Sequence, residues 1–139
     1  MSSSTCEFCN PRGETVVWSD ARCRVLHVAD AGFAGFCRVV WNDHVTEFSD
    51  LDEADRNHVM KVVVAVERSL RNLLSPHKMN VASLGNQTPH LHWHVIPRYR
   101  DDSHYPNPIW AAPQREGAAH ALPRDFAARL RSAIESALG

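Results

Sequence analysis

Between Ser49 and Ser75 apolar residues recur at helical spacing. Val59, Val63, Val66, Leu70 and Leu73 share one face, with Arg56, Lys61, Glu67, Arg68 and Arg71 on the others. Asp50 followed by Glu53 has the form of a capping box, Ser49 is an equally good cap, and Pro76 stops the helix. The run Val62-Val63-Val64 would suit a strand, but the period around it and the length of the segment decide for helix. Ahead of this helix the pattern shortens to strands at Thr15 to Asp20, Cys23 to Val28 and Phe36 to Trp41, the first two joined by a turn at Ser19-Asp20-Ala21. A loop of small residues, Ala29 to Gly35, precedes the third strand, and Asn42-Asp43-His44 ends it. After the helix, Lys78 to Leu84 reads as a fourth strand, and Gly85-Asn86-Gln87-Thr88-Pro89 turns the chain into a fifth. That fifth segment, His90-Leu91-His92-Trp93-His94-Val95-Ile96-Pro97, alternates strictly. His90, His92 and His94 therefore share one face while Leu91, Trp93 and Val95 share the other. From Arg98 to Leu122 the periodicity is lost, in the manner of an irregular functional or mobile segment. Pro123-Arg124-Asp125-Phe126 opens a second helix running to about Leu138, with Phe126, Leu130, Ala133 and Ala137 on its buried stripe.

A chain of 139 residues, 44% hydrophobic, supports one domain with a real core, residues 1–139, and is too short for two. Fifteen basic and sixteen acidic residues give a net charge of −1, so there is no electrostatic footprint for nucleic acid or an anionic membrane. Any phosphate must be held by local geometry. Met1-Ser2-Ser3-Ser4-Thr5-Cys6 lacks the basic start and apolar run of a signal peptide, and no window approaches a membrane span. The expectation is a soluble, cytoplasmic protein whose four cysteines are thiols or metal ligands rather than a disulfide framework.

Within the first 14 residues, Cys6-Glu7-Phe8-Cys9 is a CxxC followed by a turn, Asn10-Pro11-Arg12-Gly13, and not by the helix a redox pair expects. Metal is the favoured reading, although two thiolates leave a tetrahedral site incomplete. His44 gains interest only beside this motif. For the histidine face three readings stay open. Three imidazoles with a water could form a catalytic zinc site, but on one straight strand they span about 13 Å, too far to meet one ion undistorted. His92 could be a nucleophile toward phosphorus, needing an acceptor on its other ring nitrogen and donors on the phosphate oxygens. His94, Asn80 and the loop Asn86, Gln87 and Thr88 would supply those donors. The face could also bind a nucleotide or RNA without turnover, which the near-zero charge disfavours.

His90-Leu91-His92-Trp93-His94-Val95-Ile96 resembles the His-x-His-x-His-x-x signature of the histidine triad (HIT) superfamily. With the N-terminal CxxC, the strand ending near His44, the long helix and the Asn-bearing strand, the similarity extends over roughly Cys6 to Trp110. It looks closest to the bacterial branch that is diadenosine polyphosphate hydrolase-like. The resemblance implies an α+β fold, about five antiparallel strands with the long helix packed on them and a C-terminal helix, in a homodimer whose sheets become continuous. It implies nucleotidyl transfer on a purine nucleotide: His92 attacks the α-phosphate, the leaving group departs, and water hydrolyses the nucleotidyl-histidine. His94, Asn80 and the loop residues would contact or position the phosphate. In members with the CxxC, zinc is held at positions matching Cys6, Cys9, His44 and His90, a structural site with no open position. A non-catalytic purine-nucleotide-binding regulator on the same fold is the alternative.

The chain also departs from the family pattern. Counting back from Gly35, Val28 stands where many members carry a ribose-binding acid, with Asp30 two places later, so either Asp30 takes that role or ribose is held more weakly. Phe36 stands where many relatives have histidine, and the loop before the triad is about one residue shorter than in the nucleotide-binding-protein branch. Trp110 is similar to a C-terminal tryptophan that in some members reaches the partner subunit's site.

Overall fold

The computed structural model describes residues 3–30 and 32–139. Met1 and Ser2 of the predicted N-terminal segment, and Ala31 of the predicted small-residue loop, lie outside the described residues. Five strands, β1 (Val16–Ser19), β2 (Cys23–His27), β3 (Cys37–Trp41), β4 (Lys78–Ala82) and β5 (His92–Arg98), form one sheet in the order β1-β2-β3-β5-β4. Every neighbouring pair is antiparallel. The long helix α1 (Glu53–Leu74) and the C-terminal α2 (Phe126–Leu138) pack on one face, the α+β arrangement expected. Among the described residues no helix is long and apolar enough to cross a membrane.

Register assigns the two faces. Val39 pairs with Trp93 and Cys37 with Val95, so these side chains point the same way as Val25 and Cys23 on β2, toward the helices. There they meet Val59, Val62, Val63, Val66 and Leu70 of α1 and Phe126, Leu130 and Ile134 of α2 in one apolar core. The β-branched run is helical as read, with Val62 and Val63 buried and Val64 exposed. On α2 the buried stripe is Phe126, Leu130 and Ile134, and the expected Ala133 and Ala137 are only half-buried and exposed. A four-residue step keeps the three large side chains in line, whereas a methyl group reaches too little of the core to fix the rotation.

The start of α1 also differs from expectation. Phe48–Asp50 form a short 3-10 turn, Leu51 is buried, and the cap is Asp52, whose carboxylate accepts from the Asp55 backbone N–H at 2.8 Å. Neither Ser49 nor Asp50 caps the helix, because burying Leu51 makes the chain turn twice before it winds. Ser75, at φ 48°, ends it before Pro76. The second helix starts at Phe126 rather than Pro123.

The irregular stretch after β5 is held by a buried hub. Arg98, 1% exposed, donates from Nε and Nη2 to the two carboxylate oxygens of Asp102, from Nη1 to Asn80 Oδ1, and from Nη2 to the Asn107 carbonyl, at 2.7 to 3.1 Å. Burial alone would raise the Asp102 carboxyl, but the Arg98 guanidinium and the backbone N–H groups of His104, Tyr105 and Tyr99 outweigh it and hold it at about 2. Its contribution to stability is therefore complete above the ordinary 3.8 and is lost as pH falls from there toward about 2. Asp102→Ala leaves a buried cation unpaired, so we expect a loss of about 3–5 kcal/mol at pH 7 in urea unfolding. The wild-type advantage over the variant should shrink across that acid window.

Candidate functional site

The N-terminal segment lies across the histidine face of the sheet, tied to β2 by Arg24. That guanidinium donates to both oxygens of Glu14 and to the Phe8 carbonyl. The CxxC turn closes through Asn10, whose backbone N–H and Nδ2 both donate to the Cys6 carbonyl at 3.0 Å. This presents both thiols to His44, just past β3, and to His90, just before β5. Cys6 Sγ lies 3.2 Å from His90 Nδ1, Cys9 Sγ lies 3.3 Å from His44 Nδ1 and 3.5 Å from His90 Nδ1, and the two Nδ1 atoms are 3.3 Å apart. All four donor atoms fall within 4.8 Å of one another. A tetrahedron with metal–sulfur bonds of about 2.3 Å and metal–nitrogen bonds of about 2.0–2.1 Å has edges of roughly 3.3 to 3.8 Å, so the four donors match its size.

The tautomer of His90 supports that fit. Its Nε2 lies 2.5 Å from the Trp41 carbonyl, which can only accept, so Nε2 carries the proton. The lone pair is then on Nδ1, aimed at the thiols and at His44, the arrangement a ligating histidine with an outer carbonyl partner adopts. His90 is fully buried, and β5 itself begins two residues later than the strand expected from the alternation, at His92. Cys23 and Cys37 take no part. They sit in the core, where burial pushes their thiols up to about 12.

The other two histidines face a cavity of about 320 Å³. His92 and His94 are each 6% exposed, their rings 4.9 Å apart. His92 Nδ1 lies 2.5 Å from the His90 carbonyl, so it holds the proton and Nε2 keeps a free lone pair. Burial lowers the basicity of His92, and burial with His92 and Arg38 alongside brings His94 down to about 4. Both rings are therefore neutral near pH 7.

One rim of the cavity is Gly85, Asn86, Gln87 and Thr88, the loop singled out from the sequence. Glu7 and Phe8, the two residues inside the CxxC, form a wall: Phe8 lies 4.9 Å from the His92 ring and 5.6 Å from that of His90, and Thr88 Oγ1 donates to Glu7 at 2.9 Å. Trp110, half exposed, stands 4.9 Å from the His94 ring. Asn80 shares this face of the sheet but does not line the cavity, since its side-chain oxygen is taken by Arg98. Asp30 is exposed in its loop, accepts from the Gly32 N–H, and is likewise outside the cavity lining. Sequence reasoning missed Glu7, Phe8 and Arg38. Nothing local marks the first two, but Arg38 is the single charge in the otherwise apolar strand Cys37–Trp41, which is a readable signal.

Residues 12–101 match the model of the HIT domain, a stretch that includes His44 and all three triad histidines but not the CxxC. A histidine triad protein of Bradyrhizobium japonicum superposes with a TM-score of 0.70 at 28% identity, over 91% of this chain and 91% of its own. One from Marinobacter aquaeolei VT8 gives 0.73 at 25% identity, over 88% and 90%. A zinc-bound histidine triad family protein from Mycobacterium smegmatis shares the fold at 0.66 with 18% identity, over 95% and 94%. Comparison with curated proteins gave no match. With residues 12–101 matched, more than half of its length, the chain belongs to the HIT-domain family.

Proposed function

We propose that the protein is a nucleotide hydrolase or transferase acting at the α-phosphate of a purine nucleotide derivative through a nucleotidyl-histidine. The observation that carries this reading is the commitment of His92 Nδ1 to the His90 carbonyl, which leaves Nε2 unprotonated on a ring that lines a cavity of about 320 Å³. Nε2 attacks phosphorus, and the bond to the leaving group breaks with its electron pair. The proton stays on Nδ1, still donated to the His90 carbonyl, as the ring becomes cationic. Water then attacks phosphorus, the P–N bond returns its pair to Nε2, and nucleoside monophosphate and a proton are released. His94 and the loop Asn86, Gln87 and Thr88 border the same cavity and would hold phosphate oxygens. Phe8 and Trp110 offer flanking aromatic surfaces for a base.

The donor set of Cys6, Cys9, His44 and His90 suits zinc, and a histidine triad family protein from Mycobacterium smegmatis of the same fold is zinc-bound. With all four tetrahedral positions filled by protein, such an ion would supply rigidity rather than a reactive water. β4 is an edge strand with exposed Val81 and, just beyond it, Leu84, which supports a homodimer built through that edge. The cytoplasmic reading and the diadenosine polyphosphate hydrolase-like branch are part of the same proposal. The test is incubation with adenosine 5′-phosphoramidate and with a diadenosine polyphosphate, following AMP. Release from either supports the enzyme, and tight binding with no release from both supports the non-catalytic regulator instead.

A further inference from the structure

Among the described residues, two buried side-chain polar atoms lack any hydrogen-bond partner, Arg38 Nε and His94 Nδ1. They belong to residues that face each other across the β3–β5 ladder, Arg38 being the register partner of His94, and both residues line the same cavity. A buried polar atom left without a partner costs free energy unless a ligand fills it, so two neighbouring orphans on one cavity mark a place where a polar group binds.

The character of that group follows from charge. Arg38 is half-buried and is the only lysine or arginine on the cavity that His92 and His94 line. Among the described residues no carboxylate forms an ion pair with it. Glu7, the acid on the same cavity, is turned to Thr88. The guanidinium carbon lies 5.4 Å from the Phe36 ring centroid, a contact that satisfies none of its N–H groups. A half-buried guanidinium without a carboxylate partner favours an anion, and its planar fork suits phosphate oxygens in particular. Its position adds a geometric point. A second cavity, of about 530 Å³, runs past Leu26, Val28 and Ala29, and the two cavities share Glu7, Phe8 and Arg38. Arg38 thus stands at the junction of two chambers, where the phosphate of a ligand with one substituent in each would lie.

We infer that Arg38 is a phosphate-binding residue of this site, its guanidinium meeting the anionic oxygens of the phosphate that His92 attacks. This rests on the nucleotide reading above and extends it. The site selects an ionised phosphate diester, phosphoramidate or anhydride, and neither an uncharged phosphate ester nor a bare nucleoside replaces it. His94 and the loop offer neutral donors only, so Arg38 supplies the permanent charge.

The test is titration calorimetry with AMP and with adenosine on the wild type, Arg38→Met and Arg38→Lys. Methionine keeps an unbranched apolar stem and removes the charge. AMP affinity should fall roughly 10- to 100-fold in Arg38→Met while adenosine affinity stays the same, with partial recovery in Arg38→Lys. If the methionine variant does not fold, the lysine variant still decides, because losing the planar fork should weaken AMP and leave adenosine alone. Equal weakening of AMP and adenosine would show a merely structural residue and overturn the assignment, as would undiminished AMP binding in either variant. The two proposals fail separately. Turnover through His92 with AMP binding indifferent to Arg38 removes this inference alone, whereas a wild type that binds neither AMP nor inorganic pyrophosphate removes both.

Discussion

A His92→Ala variant should fold, bind nucleotide and release no nucleoside monophosphate. The loss in turnover should be at least about 10⁴-fold, because the side chain removed forms the covalent bond and no neighbouring group is placed to replace it. His94 is the nearest imidazole, but among the described residues its Nδ1 has no acceptor to fix its tautomer, whereas His92 Nδ1 is committed to the His90 carbonyl. The fold should survive, since His92 lies on the cavity side of β5 and outside the apolar core beneath the helices. Intact mass of the wild type quenched during turnover should show one added nucleotidyl group, mapping to His92 and missing in the variant. A variant that keeps even a tenth of the activity, or an adduct on another residue, would remove the mechanism proposed here.

Loss of the four-donor cluster should have the second largest effect, and on stability before chemistry. Metal analysis of the purified protein is expected to give about one zinc per chain, falling in Cys9→Ser. Chelation or Cys9→Ser should lower the Tm by roughly 10–20 °C, since metal binding at a closed site is also folding free energy. The cluster joins the N-terminal segment to the ends of β3 and β5, so losing one of its ligands loosens that segment from the sheet. Phe8, between the two cysteines, packs on His92, so nucleotide binding should weaken in the same titration. If chelator abolished turnover with the Tm unchanged, the metal would be catalytic and the closed tetrahedral reading would be wrong.

The fold was legible because its elements are locally encoded. The apolar period of Val59 to Leu70 survives as a buried helix face, and the alternation through His92, Trp93, His94 and Val95 survives as a two-faced strand. Where the local signals were equivalent, the reading slipped. Ser49, Asp50 and Asp52 are all good caps, and the burial of Leu51 chose among them. Small residues at 133 and 137 fit the stripe of α2 as well as Ile134 did until the core set the rotation.

The sequence by itself determined which side chains share a face, because the strand and helix periods are properties of the backbone and need no partner. It also put an amide-rich loop directly before the histidines. Tertiary structure alone decided what meets across the chain: that His90 Nδ1 lies 3.2 Å from Cys6, that Asn80 serves Arg98 rather than the cavity, and that Arg38 stands opposite His94 with no ion-pair partner among the described residues. Those contacts join residues tens of positions apart, and their distances depend on strand order and register, which no local pattern encodes.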